Sequence, residues 1–405
     1  MDAAVALSLF WIVVAAVVAP LVAGAVPRRL VPEVVLLLVA GVVIGPNALG
    51  FAEVDGGIEM LRELGLGLLF LLAGYEIDPA ELRGRGGRRA LITWCVCMTL
   101  ALATVAALGA AGLVNAEVAV AIALTSTALG TLLPILADRG LVDTPLGRSV
   151  LNHGAVGELL PVIAMATLLG ARGAVGSLLV LAAFAVVAVI VALLPPRILR
   201  EGSQFLAFVR RTSMTTAQTS VRLTMLLLVG LITLAVVFDL DVILGAFAAG
   251  FILRRAIPSG DALLETKLDG LAYGFLVPIF FVTSGMAIDV VAVVEQPGVL
   301  VAFLLLLILV RGVPVFVSVR LDRDSRFDTA EQVQIALYST TGLPLIVAVT
   351  GVAVAAGEMT NASASILVAA GAITVLILPM VAGLLQRSDR PQSVSSPDSG
   401  RRGGE

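Results

Sequence analysis

Charge is scarce in this chain. Asp, Glu, Lys and Arg make up 14% of its 405 residues, against about 25% in a soluble domain. A soluble fold of this length needs far more polar side chain to cover its surface, so that class is excluded. Histidine occurs once, as His153, and cysteine twice, as Cys95 and Cys97. At an i, i+2 spacing in an apolar run the two thiols suit small hydrophobes, not a disulfide. No His/Cys/carboxylate spacing suggests a structural or catalytic metal. The formal net charge of −3 offers no basic surface for nucleic acid. There is no G-x-x-x-x-G-K-[ST] phosphate loop and no soluble nucleotide domain, so work driven directly by ATP is unsupported. Neither an enzyme nor a bound cofactor is expected.

Apolar sequence is plentiful. Hydrophobic residues make up 59% of the chain, with 40 glycines, and the mean hydropathy is +1.07. Thirteen apolar segments follow one another, roughly 4–24, 31–46, 59–76, 90–113, 117–137, 147–169, 174–195, 218–238, 241–254, 268–288, 297–319, 329–352 and 363–385. Most reach the ~20 residues that a helix needs to cross a bilayer. An all-α polytopic membrane protein follows. The first segment lacks the positive flank of a signal peptide and is read as a retained helix. With thirteen spans the connections alternate between two sides. One side receives nearly every arginine, from Arg28, Arg85 and Arg89 through Arg148, Arg254 and Arg320; the other holds Glu53, Asp55, Asp239 and Glu295. The positive-inside rule then places the C-terminus in the cytoplasm and the N-terminus outside, in a bacterial-type inner membrane. The tail 386–405, rich in Ser, Pro, Gly and Arg, is expected to be a disordered cytoplasmic extension of a membrane domain spanning 1–385.

The chain also repeats itself at a spacing of about 210 residues. "FLLAGYEID" at 70–78 is echoed by "FVTSGMAID" at 281–289, and "VAGVVI" at 39–44 by "AAGFIL" at 248–253. "TSTALGTLLP" at 125–134 faces "STTGLPL" at 339–345. The shift is seven segments, an odd number, so halves 1–169 and 218–385 are inverted about a linking helix at 174–195. Inverted repeats with discontinuous helices are a recurring design of secondary transporters. Gly and Pro break each helix, and hydroxyls can satisfy the freed backbone. Thr125, Ser126 and Thr127 serve one break, and Ser339, Thr340 and Thr341 the other.

Two ionisable groups stand deep in apolar segments. Glu158 lies within "GAVGELLPVIAM" and Arg311 within "LLLLILVRGVPVF". Each should face a cavity or another polar group. Glu158 suits a carboxylate that holds a proton or a small cation in turn. Arg311 cannot usefully release a proton, and it suits a fixed charge that holds the broken helices and the carboxylate in place. A static Glu158–Arg311 ion pair is the structural alternative. Asn152 and His153, on the same segment as Glu158, could line an inner funnel or relay protons; ordinary hydrogen bonding within the helix explains them as well.

The motifs "VPEVVLLLVAGVVIGPNALG", "LRELGLGLLFLLAGYEID", "LTSTALGTLLPILADRGLVDTPLGRSVL", "LDVILGAFAAGFILRRAI" and "VPIFFVTSGMAIDV" together resemble the monovalent cation:proton antiporter-2 family, which has the sodium/hydrogen exchanger fold. The resemblance covers about 10–385. It implies an antiporter that exchanges Na+ or K+ for protons by alternating access, and a homodimer. It matches the crossed, unwound helices to 117–137 and 329–352, and a basic residue, often lysine in the family, to Arg311. Where the family carries two adjacent acidic residues, or Asn followed by Asp, this chain has Gly157 and Glu158. The second carboxylate, the transient cation ligand, is kept as glutamate and the first is missing. The glycine is expected to leave room for water or a larger ion, which keeps potassium beside sodium. The single acidic residue implies electroneutral exchange. The resemblance also implies a core built from 90–113, 117–137, 147–169, 297–319, 329–352 and 363–385, working against a scaffold. A potassium-efflux channel and an organic-substrate transporter on the same fold remain alternatives.

Overall fold

The computed structural model describes residues 2–25, 31–77, 84–169, 173–193, 218–257, 260–322 and 327–385. The tail 386–405, the connection 196–217, and Asp78 of the first echo lie outside these residues. Within them the chain is helical and has no strand. The helices are α1 (Ala3–Ala25), α2 (Glu33–Ile44), α3 (Gly56–Glu76), α4 (Arg85–Ala110), α5 (Glu117–Thr125), α6 (Leu129–Asp138), α7 (Pro145–Leu168), α8 (Gly173–Leu193), α9 (Thr219–Val237) and α10 (Val242–Ala256). There follow α11 (Ala262–Met286), α12 (Val290–Glu295), α13 (Pro297–Arg320), α14 (Thr329–Tyr338), α15 (Leu343–Ala355) and α16 (Asn361–Leu384).

Eight of these stretches are long and apolar enough to cross a membrane: α1, α4, α7, α9, α11, α13, α14 with α15, and α16. Large apolar side chains stand exposed along α1 and α9, among them Phe10, Leu21, Leu226 and Val237. A soluble surface does not tolerate such a band, and the protein is a multi-pass membrane protein. Polar caps start several helices where the sequence leaves the apolar run. The Thr144 hydroxyl accepts from the Gly147 N–H at 3.0 Å ahead of Pro145. Asp328 and Glu331 form a reciprocal capping box on α14.

Two packed groups emerge. One joins α1, α2, α3, α9, α10 and α11; the other joins α4, α5, α7 and α13 to α16, with α6 against α7. In the first group helices meet backbone to backbone at glycines. A Cβ on Gly41 would overlap the Val282 carbonyl oxygen, and one on Gly285 the Leu38 carbonyl, where α2 crosses α11. Gly74 and Gly250 stand in the same relation where α3 crosses α10. In lipid, where apolar burial gives helices no reason to associate, such close packing holds them together. α8 packs against both groups, on α7 and on α10.

Two long helices carry a widened turn. The Val277 N–H bonds back to the Ala272 carbonyl in α11, and the Val313 N–H to the Ile308 carbonyl in α13. Each is followed at once by a proline, Pro278 or Pro314, which lacks an N–H and crowds the carbonyl four residues back. The extra residue in the turn relieves that crowding, and in α13 the widened turn contains Arg311.

Candidate functional site

α5 and α6 are one apolar segment interrupted at 126–128, and α14 and α15 are one segment interrupted at 339–342. Nine residues at 1.5 Å each span only about 14 Å, so neither half of the first segment crosses a bilayer alone. The two interruptions meet. Gly342 lies against Ser126 so closely that a Cβ would overlap its hydroxyl oxygen. The Ala128 N–H donates to the Thr341 carbonyl at 2.7 Å. The Thr127 hydroxyl donates to the Ser339 carbonyl at 2.6 Å, and its own N–H goes to the Gly157 carbonyl at 2.8 Å. Thr125, Ser126, Thr340 and Thr341 donate their hydroxyl protons to carbonyls three or four residues back. Their lone pairs stay available to a ligand. Ser339 is fully buried and its hydroxyl has no partner.

Glu158 is 3% exposed, and its Oε2 accepts the Leu129 N–H at 3.2 Å. That donor opens α6, so the carboxylate sits on the positive end of a half-helix. Arg311 is 1% exposed. Its guanidinium donates to the Thr127 hydroxyl at 3.0 and 3.1 Å, to the Ser339 carbonyl at 3.3 Å and to the His153 carbonyl at 2.8 Å. Its third nitrogen is 3.9 Å from the Cys97 sulfur.

Two expectations are thereby corrected. Arg311 holds the crossing of the broken helices and does not hold Glu158; no ion pair joins the two among the described residues. Gly157 does not leave room for water or a larger ion either. A Cβ there would overlap the Arg311 guanidinium and come within 2.6 Å of the Thr127 hydroxyl. The glycine is the slot through which Arg311 reaches the crossing.

The six hydroxyl residues of the two breaks thus come together with Glu158 and Arg311. Asn152 and His153 do not join them through their side chains. They line a separate cavity beside Arg89 and Arg148, to which Glu158 does not contribute; only the His153 carbonyl reaches the crossing.

One residue escaped the sequence reading. Glu76, the last residue of α3, has a buried Oε2 without a partner. An added Cβ on Gly130, in the first turn of α6, would lie 3.7 and 3.9 Å from the Glu76 carboxylate oxygens and 3.6 Å from the Tyr273 hydroxyl. Glu76 and Glu158 therefore face the same half-helix terminus. In the sequence Glu76 ends an apolar run as "GYEID", like many residues at a membrane interface.

Comparison with known proteins gives concordant matches. The family model described as sodium/hydrogen exchanger, transmembrane, matches residues 13–386. The Cation/H(+) antiporter 18 of Arabidopsis thaliana is 28% identical over 324 residues, covering 72% of this chain and 38% of the relative. The glutathione-regulated potassium-efflux system protein KefC of Klebsiella pneumoniae is 26% identical over 371 residues, covering 89% of this chain and 58% of the relative. The chain thus spans about half the length of these relatives. Among solved structures, the sodium proton antiporter MjNhaP1 from Methanocaldococcus jannaschii shares the fold, with a TM-score of 0.65 at 18% identity over 95% of this chain and 97% of that one.

Proposed function

The chain belongs to the sodium/hydrogen exchanger transmembrane family, and from that premise we propose that it is a secondary antiporter exchanging Na+ or K+ for protons at Glu158. One observation carries the reading: a deeply buried carboxylate rests on the N-terminal N–H of a half-helix, at the crossing of two interrupted segments. A cation there can be held by Glu158 and by hydroxyl or carbonyl oxygens of Thr125, Ser126, Thr127, Ser339, Thr340 and Thr341. A proton on Glu158 displaces it, and that competition is the exchange.

Counting each broken pair once and setting aside the six-residue α12, we read thirteen crossings, with the N-terminus outside and the C-terminus cytoplasmic. The paired glycine contacts support the inverted repeat. Under the exchange of α2 with α10 and α3 with α11, the Gly41–Gly285 crossing becomes the Gly250–Gly74 crossing. Alternating access follows if the group bearing Glu158 moves against the glycine-packed group, which also suits the surface of a homodimer.

The charge count supports one cation per proton. Glu76, Glu158 and Arg311 together carry −1, which one proton or one monovalent cation balances. Transport in sealed vesicles tests the reading, with an imposed pH gradient and Na+, K+ or neither outside. Proton efflux that requires one of the cations is expected. Proton-independent cation leak would indicate a channel, and no ion movement would indicate another substrate.

A further inference from the structure

A cavity of about 250 Å³ lies where the first turn of α4 meets α7 and the end of α13. Its polar walls include Arg89 with its partner Asp322, and Arg148, Ser149, Asn152 and His153. None of the residues of the crossing lines it, so it is separate from the candidate ion site. Three features favour a negative charge. α4 is 26 residues long, and its N-cap, Gly84, has no side chain with which to cap the first turn. Arg89 pairs with Asp322, whereas no carboxylate pairs with Arg148 among the described residues. Asn152 lies over Gly86, where a Cβ would come within 2.6 Å of its Nδ2, so an amide donor is held against the mouth of α4.

His153 adds a second and more selective demand. It is 3% exposed. Its Nδ1 is 2.9 Å from the Ser149 carbonyl, an acceptor only, so in the neutral ring Nδ1 bears the hydrogen and Nε2 presents a lone pair. That Nε2 is buried and has no partner. A fully ionised oxyanion would satisfy the arginines and leave this nitrogen facing another acceptor. An anion that brings its own O–H satisfies both.

We propose that this cavity binds a protonated oxyanion of the hydrogen-phosphate or bicarbonate kind. The negative oxygens face Arg148, Asn152 and the α4 terminus, and the O–H donates to His153 Nε2. Occupancy would tie α4 to α7 one peptide away from the carbonyl that receives Arg311, so the ligand would stiffen the crossing as well as fill the cavity. The inference rests on these side chains and not on the antiport reading.

Thermal unfolding and calorimetric titration of the purified full chain in detergent test it, with inorganic phosphate, bicarbonate and sulfate compared at equal ionic strength in chloride. Phosphate or bicarbonate is expected to bind at least tenfold more tightly than sulfate and to raise the melting temperature. Arg148→Gln, at an exposed position, should weaken that binding about tenfold or more while leaving the ligand-free melting temperature unchanged. Asn152→Leu should weaken it as well. His153→Phe should erase the preference over sulfate, and if it fails to fold, the two surface-side variants decide. Equal responses to phosphate, bicarbonate and sulfate, or phosphate binding untouched by Arg148→Gln, would overturn the proposal.

Discussion

At Glu158 two magnitudes set the chemistry. A helix terminus contributes about 0.3–1 kcal/mol to a nearby anion, up to ~2 kcal/mol in a partly buried setting. Burying an ionised carboxylate costs several kcal/mol. The Leu129 N–H therefore orients the carboxylate without compensating its burial, and a proton or cation must supply the rest. Glu158→Gln keeps an acceptor for that N–H and loses the exchangeable charge. Cation-coupled proton flux in vesicles is expected to fall to the protein-free background while the melting temperature stays near wild type. Wild-type flux would end the assignment of Glu158. Arg311 has the opposite profile. Arg311→Ala removes the charge-assisted hydrogen bonds to the Thr127 hydroxyl and to the Ser339 and His153 carbonyls, each worth about 1.5–3 kcal/mol. The melting temperature should drop by several degrees or more, with Arg311→Lys in between because an ammonium donates from one point and not from a fork. Unchanged unfolding of the alanine variant would show that the crossing does not depend on this side chain. The same contacts explain why Gly157 was misread in the sequence. A missing side chain reads as space until the residue that fills it is known, and Arg311 comes from 154 positions further along the chain.

The broken helices are the element where sequence and structure agree best. Clustered hydroxyls followed by Gly and Pro in an apolar run cannot continue a helix without new partners for the backbone, and both clusters fall at interruptions. What the clusters did not disclose is how the breaks touch. That depends on Gly342 seating against Ser126, a contact between segments more than two hundred residues apart. Two alanine substitutions separate this role from ordinary helix propensity. Gly342→Ala forces a Cβ into the Ser126 hydroxyl and to 2.8 Å from its carbonyl oxygen, an overpacking that costs about 1–3 kcal/mol. Gly351→Ala, in α15, meets nothing within 4 Å and should stabilise by about 0.5–1 kcal/mol through helix propensity alone. Thermal unfolding of the two variants should move in opposite directions; a shared direction would mean that the crossing is not tightly packed. Glu76 was illegible for a related reason. Only the packing of α3 on α10 and beside α6 brings the end of that helix to Gly130, and nothing in "GYEID" announces it.

For the whole molecule the decisive quantity is the charge that crosses in one cycle. Glu76 raises the issue, because a second carboxylate beside Glu158 could release a second proton. If both did so for each cation, one net charge would cross per cycle. Arg311 counters this. With its fixed positive charge buried at the same crossing, two ionised carboxylates leave −1, and a single monovalent cation brings the site to zero, as a single proton does. A second proton would leave an uncompensated positive charge in the bilayer, which costs several kcal/mol. One-for-one exchange is therefore expected. Vesicles with opposed cation and proton gradients can be brought to the point of zero net proton flux, and a voltage then imposed with a thiocyanate gradient, since valinomycin would short-circuit a potassium gradient. Electroneutral exchange keeps its balance point at every voltage. A cycle carrying one charge gains about 2.3 kcal/mol per 100 mV, so about 60 mV would displace the balance roughly tenfold in ion ratio. A displacement of that size would defeat the one-for-one scheme, and its disappearance in Glu76→Gln would identify Glu76 as the source of the second proton.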